Sequence, residues 1–271
     1  HTGLAPANAE GTFGFYPPAG AYPIGATASS WSAQAHLLPY IEQANLQNLI
    51  DWDSSYSSQP LVTQTRVPTF LCPSEVNDRA RPDGALTHYP LSYGINEGRW
   101  MVFDPATGQN DGGIAFPNSS IRPRDITDGL SHTLAFAEIK AFNPYLRDGG
   151  PASGIAMPTS GLQISSLGGN FKTNSGHTEW VDARVHQTGF TTTFGPNTFV
   201  PYNSGGETYD VDYNSNREGK TTNAITYAAV TSRSYHVGIV NVVLMDGSGR
   251  SISENINLAI WRNLGNRTDG N

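Results

Sequence analysis

The sequence is short of charge. Asp, Glu, Lys and Arg together make up 14% of its 271 residues, well below the roughly 25% of an average soluble domain. The net charge is −7 at pH 7, and no cluster of Lys or Arg supplies the phosphate-neutralising surface that nucleic acids require. Nucleic acid is therefore excluded as a main partner.

Cysteine and long apolar runs are equally scarce. The single cysteine, Cys72, cannot form an internal disulfide or a Cys-x-x-Cys motif. We interpret it as a small buried hydrophobe, with an intermolecular disulfide as the alternative. No stretch approaches the ~20 apolar residues of a membrane span, and the chain starts at His1 without a signal peptide. We expect a processed or truncated product whose targeting segment lay upstream.

Glycine, proline and aromatic residues are abundant instead. The chain has 29 glycines and 18 prolines, which break helices and favour turns and strands. Its 11 Phe, 12 Tyr and 5 Trp argue for a packed core and against disorder. A chain of this length buries roughly three quarters of its unfolded surface, so one large domain or two closely packed ones would fit.

The apolar pattern predicts a few clear elements. Apolar residues recur at three- and four-residue spacings in 31–52, which predicts an amphipathic helix that Pro39 kinks or delays. Strands are predicted at 133–139 and 237–245, and a short amphipathic helix at 258–264.

The domain organisation follows from composition. Residues 148–176 are rich in Gly, Ser and Pro, and 177–213 are dense in Thr, Val and aromatics, the types that strands favour. We predict an α+β protein in which 1–147 and 231–271 form the core and 148–230 form a β-rich insertion lobe.

One polar run invites a metal interpretation. Asp210, Asp212 and Asn214 place oxygen-bearing side chains at every second position, as the first ligands of a calcium loop require. Ser215 and Thr221 depart from the glycine and glutamate that an EF-hand has at their positions. The alternation predicts either a calcium site or a solvated polar strand edge, and calcium is the only cofactor that the sequence suggests.

Two further features bear on activity. Trp180, Tyr202 and Tyr209 belong to an aromatic-rich stretch that would serve as a stacking platform for sugar rings or an assembly surface, or else as the core of a β-layer. No Gly-x-Ser-x-Gly elbow positions a nucleophile. No catalytic residues are predicted, and we expect the chain not to be an enzyme.

The C-terminal segment carries the most specific motif. His236 is followed, after nine residues, by Asp246 and Gly247. This resembles the prepilin-type H-x9-D-G signature of a large planctomycete family of exported proteins of unknown function. Gly249 departs from the family by standing where Val is usual, and 237–239 depart by replacing Pro-Gly-Gly. Further blocks similar to those of the family follow in order at 37–43, 68–74, 125–131, 134–138 and 176–182.

The resemblance implies a type IV pilin-like or pseudopilin-like architecture, with an antiparallel sheet and one amphipathic helix. A hydrophobic N-terminal pilin helix, absent from this chain, would lie upstream of His1 and be its only link to a membrane. The implied location is extracellular or at the cell surface. The family supplies no catalytic residues. Asp246 and Gly247 by themselves predict a two-residue hairpin turn, and His236 is predicted to be structural.

Three functions remain open at this point. The first is a structural subunit that self-associates into a cell-surface fibre or pseudopilus-like array. The second is an extracellular binding module for glycans or another solute, which rests on the aromatics of 177–213. An uncharacterised hydrolase has the least support, because no catalytic constellation accompanies it.

Overall fold

The computed structural model describes residues 31–221 and 223–270. Its helices are short, as the glycine and proline content predicts. None of the helices in these ranges is long and apolar enough to cross a membrane. The α-helices are α1 (Ala33–Leu37), α2 (Ala44–Gln47), α3 (Pro60–Thr63), α4 (Val185–Thr188) and α5 (Leu258–Leu264).

The predicted helix over 31–52 is interrupted. After α1 the chain tightens into a 3-10 turn at Leu38–Ile41, and Glu42 ends it with a left-handed φ of 61°. Pro39 is the physical reason, because its ring clashes with the preceding turn and it has no N–H to donate. The apolar face survives the break, since Leu46 is buried in the core. The predicted helix at 258–264 is confirmed as α5, which Asn257 caps through its side chain.

Two five-stranded sheets dominate the fold. The strands are β1 (Arg81–Asp83), β2 (Leu86–His88), β3 (Tyr93–Asn96), β4 (Met101–Phe103), β5 (Leu134–Glu138), β6 (Asn143–Arg147), β7 (Asn170–Gly176), β8 (Gly189–Phe190), β9 (Pro201–Ser204), β10 (Glu207–Asp210), β11 (Asp212–Asn214), β12 (Thr226–Ala229), β13 (Ile239–Leu244) and β14 (Gly249–Ser253). The first sheet has the order β14-β13-β5-β3-β8 and the second β4-β12-β11-β6-β7, while β1–β2 and β9–β10 are separate hairpins.

Both sheets are mostly antiparallel with one parallel pair each, β3–β8 in the first and β6–β11 in the second. The chain is therefore α+β with antiparallel and mixed sheets, and the strands predicted at 133–139 and 237–245 are confirmed as β5 and β13. The second sheet takes β4 and β6 from 1–147 and its other strands from 148–230. The division into core and insertion lobe stays a prediction.

Two apolar clusters hold most of the buried side chains of the described residues. The larger cluster gathers side chains from the first sheet and from the helices, and it includes the fully buried Trp180 and Trp261. The smaller cluster lies on the second sheet around Trp100 and Tyr213, whose rings stack at 5.9 Å. These four aromatic residues thus fill the interior, which is the commoner role of aromatic side chains.

The turn at Asp246 and Gly247, which joins β13 to β14, is one residue longer than the predicted two-residue hairpin turn. Leu244 N donates to Ser248 O, and Gly247 N donates to Leu244 O. Gly247 has a φ of 83°. Asp246 accepts hydrogen bonds from both the amide and the hydroxyl of Ser248. The hairpin therefore has a three-residue loop, a type I turn followed by a left-handed glycine, rather than the two-residue turn.

Candidate functional site

Three sequence blocks that lie far apart in the chain meet at one point. Cys72 lies just after the 3-10 turn Pro68–Phe70, Glu138 ends β5, and His236 precedes β13. His236 Nε2 lies 3.1 Å from Glu138 Oε1 and 3.5 Å from Cys72 Sγ. One ligand atom from each of the three residues lies within 4.8 Å of the other two. We call this group the Cys72 cluster.

The sheet fixes the carboxylate of the cluster. Glu138 is 2% exposed, and its Oε2 accepts a 2.7 Å hydrogen bond from the amide of Asn241 on the neighbouring strand β13. That bond leaves Oε1 to face His236. Tyr93 lies opposite Glu138 across the β3–β5 pair. Burial first, and then the charges of Cys72 and Glu138, raise the pKa of Tyr93 to about 12.

The cluster opens toward solvent on its histidine side. The His236 side chain is 31% exposed, and Cys72 is half-buried. A Cys–His–carboxylate nucleophile uses both ring nitrogens, one for the thiol and one for the carboxylate. Here Nε2 alone faces both partners, so the arrangement is not that relay. It is a set of sulfur, nitrogen and oxygen donors that converge on one point.

A second group of potential ligands, Asp83, His88 and Glu179, is already occupied by a cation. Arg81 hydrogen-bonds to both carboxylates. Burial, and next the negative charge of Asp182, raise the pKa of Glu179 to about 7 in spite of Arg81. The group borders a polar cavity of about 340 Å³, but a metal ion would have to displace the guanidinium.

The residues predicted to bind calcium are engaged elsewhere. Asp210 accepts two hydrogen bonds from Arg233, at 2.9 and 3.0 Å, and Asp212 accepts another from the same guanidinium. The amide of Asn214 donates to Asn216 O. Arg233 therefore supplies the positive charge that the two carboxylates need, and these contacts do not favour a calcium site. The alternative prediction, a solvated polar strand edge, is wrong for Asp212 and Asn214, because both side chains are buried.

The predicted aromatic surface needs a correction. Trp180 is 0% exposed and donates through Nε1 to Thr65 O at 2.9 Å, so it cannot belong to a platform. Tyr202 and Tyr209 lie opposite each other on the β9–β10 hairpin. Both rings have their centroids 4.9 Å from that of Phe171. These three half-buried rings form what we call the aromatic hairpin.

Sequence reasoning did not connect the members of the Cys72 cluster. The residues around Cys72 predict a buried hydrophobe, and the position of His236 at the end of a strand predicts a structural role. One feature of the sequence does link the three residues. Each of them, Cys72, Glu138 and His236, lies in one of the blocks that carry the family resemblance.

The fold and the site together define an α+β protein whose signature histidine belongs to a cluster of potential metal ligands. A model of the family described as "Protein of unknown function (DUF1559)" matches residues 2–259. The chain belongs to that family, which confirms the uncharacterised family that the motif blocks predicted. No curated protein and no solved structure matches the chain.

Proposed function

We propose that this chain is an exported, pilin-like subunit that self-associates into a fibre or array at the cell surface. The observation that carries the proposal is an open sheet edge. Among the described strands, β14 pairs only with β13, and its residues are mostly exposed. An edge of this kind presents N–H and C=O groups to which a strand of a second copy can pair. The prepilin-type resemblance supports export and a cell-surface location.

The hydrogen-bond pattern identifies the groups that face outward. Bonds between Leu244 and Ser248, and from Glu254 N to Gly238 O, lie at the two ends of the β13–β14 ladder. In an antiparallel pair such bonded positions alternate with unbonded ones. Of the residues between these ends, Ser251 is therefore the central one whose N–H and C=O point away from β13.

This edge carries few of the features that prevent strand addition. The β13–β14 pairing runs through five residue pairs without a bulge, and β14 contains no proline and a single charged residue, Arg250. Two exposed apolar side chains lie nearby: Val237 is 99% exposed and Val243 38%. Proline, bulges and inward charges are the usual protections of an edge, so β14 suits pairing with a second copy.

A proline at the outward-facing position tests the proposal. We expect the wild-type chain to associate as its concentration rises, and Ser251→Pro to associate about tenfold more weakly. The substitution removes one intermolecular hydrogen bond of about 1 kcal/mol and adds a steric block, while the β13–β14 ladder bonds remain. Sedimentation velocity over a concentration series, with electron microscopy of the same samples, measures the effect.

Ser251→Ala is the matched control, because it changes the same side chain and keeps the N–H. It should assemble like the wild type, and circular dichroism should show the same fold for all three chains. A wild type that stays monomeric at every concentration would contradict the proposal. So would a proline variant that assembles normally.

The aromatic hairpin favours a second candidate function, the binding of glycans. Its rings are half-buried and grouped, and aromatic faces are the surface on which sugar rings stack. We expect Tyr202→Ala combined with Tyr209→Ala to weaken binding on a glycan array about tenfold or more, at ~0.5–1.5 kcal/mol for each aromatic contact. Tyr40→Ala, at a tyrosine that is 71% exposed elsewhere, should leave binding unchanged. Equal signals from wild type and double variant would eliminate this function.

A further inference from the structure

We propose that Cys72, Glu138 and His236 bind a zinc ion, with the fourth coordination position open to solvent. The donor set decides the class of metal. Calcium and magnesium prefer oxygen ligands, whereas a thiolate, an imidazole and a carboxylate together suit zinc.

The spacing of the donor atoms fits a tetrahedral ion. With Zn–S of about 2.3 Å and Zn–N and Zn–O near 2.0 Å, tetrahedral angles place sulfur about 3.5 Å from nitrogen and nitrogen about 3.3 Å from oxygen. His236 Nε2 lies 3.5 Å from Cys72 Sγ and 3.1 Å from Glu138 Oε1. The two distances from His236 Nε2 are thus already close to those that such an ion imposes, and the sulfur and the carboxylate oxygen lie within 4.8 Å of each other.

Hydrogen bonding alone accounts less well for the arrangement. A ring nitrogen of a histidine carries either one proton or one lone pair, so it forms one good hydrogen bond. His236 Nε2 faces two acceptors or donors at once. A metal ion at the centre gives all three atoms a partner.

The surroundings hold the ligands as a metal site requires. The Asn241 amide fixes one oxygen of Glu138 and leaves the other free, which is the orienting role of outer partners in metal sites. The amide of Ser74 donates to Cys72 Sγ at 3.5 Å and orients the sulfur. Among the described residues, the only ion pair of Glu138 is with His236. No guanidinium occupies this cluster, in contrast to the other two carboxylate groups.

Solvent access to the Cys72 cluster and its number of protein ligands also fit a zinc site. The exposed side of His236 gives the ion a path from solvent. Three protein ligands leave one tetrahedral position for water, as in zinc sites that keep an open position. Bound zinc would join the Cys72 loop, β5 and the start of β13, which no disulfide joins.

The test uses the whole purified chain, reduced and at a concentration at which it is monomeric, so that its outcome does not depend on assembly. We expect about one zinc per chain after equilibrium dialysis and a higher Tm with zinc. Cobalt(II) should give a thiolate charge-transfer band and the visible bands of tetrahedral coordination. Cys72→Ala and His236→Gln should each weaken zinc binding by about 100-fold or more, since even outer-shell substitutions cost 10–100-fold.

His132→Gln removes an exposed histidine outside the cluster and should leave zinc binding unchanged. Failure of the wild type to bind zinc would overturn the proposal, and so would unchanged affinity in both ligand variants. The cobalt spectrum of the wild type needs no variant to fold: tetrahedral bands without the thiolate band would remove Cys72 from the site and overturn the assignment.

Discussion

Replacing Arg233 with leucine should lower the free energy of unfolding by about 3–5 kcal/mol, the cost of breaking a buried ion pair by removing one partner. The Arg233 side chain is 2% exposed and pairs with Asp210 and with Asp212, which is 3% exposed. It also donates to the carbonyls of Thr231 and Val211. Without the guanidinium, the buried carboxylate of Asp212 loses its positive partner, although it keeps hydrogen bonds from Asn143 and the Thr231 amide. The two carbonyl oxygens lose the hydrogen bond from Arg233.

Urea unfolding followed by tryptophan fluorescence measures this loss. Arg66→Leu is the matched control, because Arg66 pairs with Asp78 on the surface, where both side chains are more than a third exposed. Exposed pairs contribute about 0–1 kcal/mol. Equal destabilisation by the two substitutions would show that Arg233 does not neutralise a buried charge.

The pH dependence provides an independent check on Arg233. Burial alone would raise the pKa of Asp212, but Arg233, and then His177, hold that pKa below its usual value. Because the folded state then binds fewer protons than the unfolded state, Asp212 stabilises the fold above its unfolded pKa, and this contribution is lost as the pH falls through its folded pKa. The loss in free energy of unfolding caused by Arg233→Leu should therefore become smaller in acid, where the carboxyl groups are neutral.

Local signals predict β5, β13 and α5, because apolar runs and helical spacing act within a few positions. The helix over 31–52 is interrupted at Pro39, the residue predicted to kink or delay it, and the interruption divides the segment into short helices instead of bending one long helix. The loop of the signature hairpin was misjudged by one residue, since both hairpin types place glycine at a left-handed position.

The site residues depended on partners that lie far away in the sequence. The alternation of Asp210 and Asp212 looks the same for a calcium loop, a wet strand edge or an arginine-paired strand, and Arg233 is 21 residues or more distant. A tryptophan such as Trp180 is equally suited to a binding surface and to a hydrophobic core. Only its packing in the fold shows that it belongs to the core. His236 is 98 residues from Glu138 and 164 from Cys72, separations over which spacing carries no geometric information.

Two buried carboxyl groups carry the second large prediction. Glu97 and Glu218 are 1% and 0% exposed. Oε1 of Glu97 and both side-chain oxygens of Glu218 have no hydrogen-bond partner in good geometry among the described residues. Burial, with a further contribution from the charge of Asp182, raises the pKa of Glu218 to about 8. Burial, and next the charge of Glu218, raise the pKa of Glu97 as well.

A raised carboxyl pKa makes the folded state bind more protons than the unfolded state. Between the unfolded pKa of about 4.3 and the folded pKa of Glu218 of about 8, stability must therefore fall as the pH rises. Below that window the carboxyl is neutral in both states and costs nothing extra. Above it the full penalty of a buried charge is present.

Glu218→Gln should remove this penalty, because the amide keeps the shape of the protonated acid and cannot ionise. We expect the variant to be more stable than the wild type by on the order of 5 kcal/mol above pH 8, at 1.36 kcal/mol for each unit of pKa shift, and nearly equal to it at pH 4. Urea unfolding at a series of pH values measures the difference. Glu42→Gln, at an exposed glutamate, should show no such trend. A Glu218→Gln advantage that is independent of pH would show that the fold does not raise the pKa of Glu218.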